Sequence, residues 1–332
     1  MSAELLERSF GIKPDGSIQD GPHIRYVEKG FMYTIVAVTH MEQEALIELY
    51  EMSEHMAKFG DKKVSTFVPS KDRLYVVSHK DDHFILLKNI FIRPASAKRN
   101  MGRDLAKFHE RGKLIPIQVS NMNRLGQWQS LWEKRMEQME KVWAGMVREK
   151  PQGMFEKMFI ENFSYFLGLW ENAMQYVKDT ELDQEPAYSD GGTIAHERFS
   201  DRTWNPPYRI KNPIDWVFDH RSRDMAEWIR NCYHRSPASV NSEIAAFAQG
   251  YQSVSPISAY TWRMIYARLL FPLHFIECAE DYFSAQSQWA QKQLEEKMGK
   301  FIRDTREYEA FLRNFFHMAG ISRNYFPSVE WV

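Results

Sequence analysis

Thr193-Ile194-Ala195-His196-Glu197-Arg198-Phe199-Ser200-Asp201-Arg202-Thr203 is followed by Pro213-Ile214-Asp215-Trp216 and then by Asp224-Met225-Ala226. The first segment joins a short apolar run to a histidine and a charged loop. The second places an aspartate nineteen residues after His196. The third opens a helix, where Asp224 suits the N-terminal turn and its positive dipole end. Upstream, Gly102-x-x-Leu105-Ala106-x-x-His109 lies on another helical stretch. Each segment is a weak signal alone, and their order and spacing carry the information.

Outward from these segments the chain divides. The first ninety residues are strand-rich. Phe31 to Val38 is β-branched and aromatic and reads as a strand, preceded by His23 to Glu28 across the Lys29-Gly30 break. Arg73 to His79 and His83 to Asn89 flank Lys80-Asp81-Asp82, a hairpin loop. Between the strand groups, Ala45, Leu49, Met52, Met56 and Phe59 step by four and three, which predicts one helix over about 41–59, closed by Gly60. A linker is expected at 90–97. The remainder reads as helical, with a helix at 99–111 and stripes Leu125, Trp128, Trp132, Met139, Val142, Met146 and Phe155, Phe159, Phe163, Phe166, Trp170, Met174. Such stripes read as core packing rather than a cofactor pocket. The stretch 179–220, with its prolines and the Gly191-Gly192 pair, reads as loop, and helices resume at Asp224 and run to about Phe316.

The whole chain has 332 residues, 43 Lys plus Arg and 44 Asp plus Glu. A net charge of −1 gives no bulk drive toward nucleic acid or a membrane surface. No apolar run reaches the length that spans a bilayer, so no membrane insertion is expected. The N-terminal stretch Met1 to Arg8 does not read as a signal peptide, which predicts synthesis and folding in the cytoplasm. The two cysteines, Cys232 and Cys278, are too few for a disulfide framework or a cysteine-rich zinc site. Gly-rich phosphate loops, H-E-x-x-H spacing and the G-x-S-x-G elbow are all missing.

The ordered segments resemble the aminoglycoside phosphotransferase and choline kinase branch of the protein-kinase-like fold. Within it they resemble the spore coat kinase-like proteins of endospore-forming bacteria, the CotS and YutH group. The resemblance covers nearly the whole chain. It implies an α+β, two-lobed fold: an N-lobe at 1–90 with a small antiparallel sheet and one helix, and a large helical C-lobe at 91–332 carrying the catalytic-loop region 193–224.

Active members of that branch position phosphates, hold charge with metal and orient an acceptor hydroxyl. They use a strand lysine, an H-x-D-x-x-x-x-N loop and a metal-binding aspartate in an I-D-[FW] motif. Here His196 matches, but the catalytic-base position is Arg198, which cannot accept a proton. The metal-binding asparagine position is Thr203, a poor Mg²⁺ ligand. The third strand, Phe31 to Thr39, has no lysine, and 20–29 has one glycine, Gly21. Asp215 remains as the one candidate metal ligand. Asp224 and His196 match positions that brace the loop, a structural role.

The resemblance therefore implies a non-catalytic, pseudokinase-like spore coat protein. It would be made in the mother cell, laid onto the forespore, and act through contacts with other coat proteins without a cofactor. The alternatives are an active phosphotransferase using Asp215 for Mg-ATP, and a module that binds nucleotide or anion without turnover. For activity, Glu197 or Asp201 would have to serve as base, and Lys29 or Lys88 would have to reach the phosphates. Arg202, Arg209, Arg221, Arg223, Arg230 and Arg235 crowd the same region in sequence, and those that face a cleft would suit an anion or an acidic partner segment.

Overall fold

The β-branched and aromatic run at Phe31 lies at the centre of an antiparallel sheet. The computed structural model describes residues 3–21, 23–91, 100–204, 208–321, 326, 327 and 329. The chain forms two compact units, one of 1–124, 192–231 and 253–255, the other of 125–191, 232–252 and 256–332. The class is α+β.

In the first unit, β1 (Gly16–Asp20), β2 (His23–Glu28), β3 (Phe31–Ala37), β6 (Asp82–Ile90) and β4 (Thr66–Val68) are neighbours in that order. β5 (Val76–His79) also pairs with β6. Register runs through Tyr26↔Tyr33 and Ile35↔Leu86. α1 (Ala3–Leu5) continues as a wider turn to Phe10 and seats Leu6 against Tyr26, Tyr33 and Leu86. The expected helix is α2 (Gln43–Lys58), with Ala45, Leu49, Met52 and Met56 buried. Phe59 differs: it lies past the helix end, 45 % exposed, with its ring against His55. The expected strand from Arg73 begins only at Val76, and Arg73 itself has a positive φ.

α3 (Met101–Gly112) starts at an Asn100 cap, whose Oδ1 accepts the Arg103 N–H at 3.0 Å. The linker expected at 90–97 lies outside the described residues after Phe91. β7 (Thr193–His196) and β8 (Trp216–Asp219) pair antiparallel inside the stretch expected to be loop. All four residues of β7 are buried, so no alternation marks it as a strand. α6 (Ser222–Arg235) follows.

The second unit holds α4 (Trp128–Glu149), α5 (Met154–Asp183), α7 (Val240–Gln252), α8 (Ala259–Leu270), α9 (Leu273–Ser284), α10 (Gln288–Arg303) and α11 (Thr305–Met318). Its core is aromatic: Phe275 stacks on Phe166 at 3.9 Å between centroids, and Trp132 on Phe271 at 4.2 Å. Leu125 precedes α4, and Val142 is partly exposed. None of the described helices is long and apolar enough to cross a membrane.

Candidate functional site

The site grows from a close approach between α3 and β7. A Cβ on Gly112 would stand 2.7 Å from the Ile194 nitrogen, so only glycine allows the contact. Thr193 Oγ1 donates to the His109 carbonyl at 2.7 Å and fixes the register. His196, at the end of β7, then meets Asp224 on α6. Asp224 Oδ1 accepts the His196 N–H at 2.8 Å, and Oδ2 accepts His196 Nδ1 at 2.6 Å and His109 Nε2 at 3.2 Å. The Trp204 indole can only donate, so His196 Nε2 accepts it at 3.2 Å and Nδ1 carries the hydrogen given to Asp224. All four side chains are buried. Burial would raise the Asp224 pKa, but the two histidines outweigh it and hold the carboxyl well below the usual range. Burial pushes His109 down, against the pull of Asp224.

Aromatic rings and one lysine close this layer. Phe108 stacks on His196 at 5.0 Å. Lys211 Nζ lies 4.2 Å from the Trp204 ring centroid and bonds Asp61 Oδ2 at 2.6 Å. Burial lowers the Lys211 pKa, whereas for Asp61 the ion pair prevails over burial and lowers it. Backbone bonds Ser65 N–Lys211 O and Lys211 N–Lys63 O, each 2.9 Å, tie the two segments together.

After His196 the chain turns outward. The Glu197 N–H bonds the Asp215 carbonyl at 2.7 Å, and the Glu197 carboxylate accepts Arg223 Nη2 at 2.8 Å. Arg223 also reaches the His196 carbonyl and Asp219, so it stitches β7, β8 and α6. Arg198 is 40 % exposed in its side chain and donates to the Glu197 carbonyl at 2.8 Å. Thr203 Oγ1 donates to the Arg198 carbonyl and accepts from Ser200 N. Its hydroxyl closes the turn of its own loop.

A cleft of about 690 Å³ opens beside this loop within the first unit. Arg198, Arg202 and Thr203 line it from the loop, Asp215 from the turn just before β8, and Asp20, His23 and Arg25 from the β1–β2 hairpin. Asp215 makes no side-chain hydrogen bond among the described residues, and burial raises its pKa against the pull of His196, His23 and Arg25. Arg25 is 5 % exposed; its Nε bonds Asp20 Oδ2 at 2.5 Å and its Nη1 bonds Thr34 Oγ1 at 2.7 Å. Burial and then Arg25 lower the His23 pKa.

Several sequence candidates fall outside this cleft. Lys29 is 84 % exposed beside Glu28, and Lys88 covers the Phe31 ring at 3.8 Å. Asp201 is not among the lining residues, whereas Glu197 is. Of the six crowded arginines, Arg202 lines the cleft. Arg223, Arg221, Arg230 and Arg235 instead bond Asp219, Ser255, Glu227 and Glu243. Arg209 stands at φ +54 and is not a lining residue.

Sequence reasoning missed Arg25 and Asp20, Trp204, and the Asp61–Lys211 pair. A charge alternating within β2 was the one available signal for Arg25. It also missed Glu48 on α2, which accepts the backbone N–H groups of Ser120, Asn121 and Met122. Burial opposes that charge, but these bonds keep its pKa low.

Comparison with known proteins gives a consistent picture. A family model described as spore coat putative kinase YutH matches residues 3–315. The chain is 38% identical over 305 residues to the endospore coat-associated protein YutH of Bacillus subtilis (strain 168), covering 90% of this chain and 88% of that protein. Among solved structures it is similar to an aminoglycoside phosphotransferase from Alicyclobacillus acidocaldarius, with a TM-score of 0.68 at 15% identity over 96% of this chain and 97% of that one. It is also similar to spectinomycin phosphotransferase APH(9)-Ia, solved with ADP and spectinomycin, with a TM-score of 0.58 at 13% identity over 90% and 93% of the two chains. At these identities the likeness establishes the kinase-like fold.

Proposed function

The chain belongs to the spore coat putative kinase YutH family, and from that membership we propose a non-catalytic component of the spore coat that acts through contacts with other coat proteins. Its relative is described as endospore coat-associated, which supports the same location here. One observation carries the reading. Arg198, a guanidinium that cannot take a proton, lines the cleft at the position where the family resemblance expects the catalytic base.

The other parts agree. Among the described residues no lysine lines the cleft, and the Thr203 hydroxyl is spent within its own loop. Among the described residues no group of three His, Cys, Asp or Glu side chains is placed to hold a metal ion. For Mg-ATP, Asp215 would be the metal-holding carboxylate, with Thr203 where the family pattern expects an asparagine. On this reading Asp224 and His196 serve to fix the loop backbone.

The rival reading is an active or nucleotide-binding phosphotransferase. It draws on Asp215, which lines the cleft without a hydrogen-bond partner among the described residues, and on fold relatives solved with ADP or AMP-PNP. A thermal melt with and without Mg-ATP separates the two, since a ligand of the native state raises the midpoint by mass action. We expect no shift at millimolar nucleotide. A shift that disappears in Asp215→Ala, together with ATP consumption, would overturn the proposal.

A further inference from the structure

Replacing an acidic base by Arg198 does more than remove a base. It reverses the charge on one wall of the cleft, and Arg202, four residues on, lines the same wall. The Arg202 side chain has no ion-pair or hydrogen-bond partner among the described residues. Arg25 adds a third guanidinium from the opposite hairpin. It is 5 % exposed, and its Nη2 has no hydrogen-bond partner among the described residues, because only Nε and Nη1 are engaged. A buried guanidinium with one arm uncommitted and a second, exposed one beside an open cleft make a fork that matches a planar anion.

The remaining charges decide which anion. Asp20 is held by Arg25, and Glu197 by Arg223 and, at 3.4 Å, by Arg198. Asp215 stays on the floor without such a partner. A nucleoside triphosphate would bring about four negative charges next to it, with no lysine among the described lining residues to balance them. A single carboxylate asks for one guanidinium fork. The β1–β2 turn has a single glycine, Gly21, at φ +59, where a phosphate-covering loop needs several free backbone N–H groups.

We propose that the cleft is a docking site for an acidic side chain of a partner polypeptide, received by Arg202 and Arg198 with Arg25 behind them. This rests on the non-catalytic reading above and names the chemistry of the partner.

The test uses the full chain and a fluorescein-labelled hexaglutamate peptide, followed by anisotropy at low and physiological salt. Binding is expected, weakening with salt, and falling by about tenfold or more in Arg202→Gln and in Arg198→Gln. Both side chains are exposed enough for the variants to fold, which their unchanged melting midpoints would document. Lys134→Gln, on α4 of the other unit, is expected to bind like the parent.

The proposal is overturned by absent binding, by equal binding of hexalysine, or by a loss in Lys134→Gln that matches the arginine variants. It is also overturned if Mg-ADP displaces the peptide and depends on the same arginines. Failure of the peptide with no nucleotide binding removes only the docking site. ATP consumption removes the non-catalytic reading itself.

Discussion

Asp224→Ala takes away the acceptor of three buried donors at once: the His196 N–H, His196 Nδ1 and His109 Nε2. A buried donor left without its partner costs about 1–3 kcal/mol. The three donors share one small site, so their costs overlap, and a loss of about 3–6 kcal/mol is expected. Against a total of about 5–15 kcal/mol this is a large share of the stability. Urea unfolding followed by tryptophan fluorescence reads it, since Trp204 and Trp216 lie in the affected layer.

The acid side of the same curve gives a second reading. The folded carboxyl is held below its unfolded value of about 3.9, so its contribution is complete above that pH and is lost as pH falls toward the folded value. Asp224→Asn removes that titration, and its stability is expected to fall less steeply below about pH 4. A loss under about 1 kcal/mol in Asp224→Ala would refute the reasoning, because the loop would then be held by packing alone.

Three further outcomes are expected. Gly112→Ala drives a methyl to within 2.7 Å of the Ile194 nitrogen and should cost about 1–3 kcal/mol. Gly168→Ala, in open space on α5, should gain about 0.5–1 kcal/mol; paired thermal melts compare them. Burial depresses the folded His23 pKa, so its neutral form contributes stability above about pH 6.5 that is lost as pH falls. His23→Gln should therefore flatten the melting midpoint between about pH 7 and 5, and an unchanged slope would contradict this. Arg198→Asp combined with Thr203→Asn restores two side-chain types but no cleft lysine, so an ATP-consumption assay should stay at background.

How much of this was legible in the sequence follows from burial geometry. β3 and α2 announce themselves, because one is rich in β-branched and aromatic residues and the other keeps a single apolar stripe. β1 (Gly-Ser-Ile-Gln-Asp) is a polar edge strand, and β4 has three residues, so neither offers a pattern. β7 and β8 are enclosed by other elements and lose the alternation that marks a half-exposed strand. At the site, His196, Asp215 and Asp224 were legible because their spacing is local to one segment. Arg25 was not, because its place in the cleft depends on which way a hairpin residue points. Lys211 and Asp61 are 150 residues apart, and nothing local in either segment marks the pair.

That last pair has a consequence in time. Asp61 closes the end of α2, and the backbone beside it is tied across the chain to Lys211 through Lys63 and Ser65. At about 5–20 residues per second of synthesis, about 8–30 s separate the emergence of the two partners. For that interval Asp61 is a carboxylate without its ammonium, beside a strand edge without its neighbour. The strands of the sheet have all emerged by Ile90, so the sheet can pair early while its tie to Lys211 waits, and that last tie is timed by the ribosome.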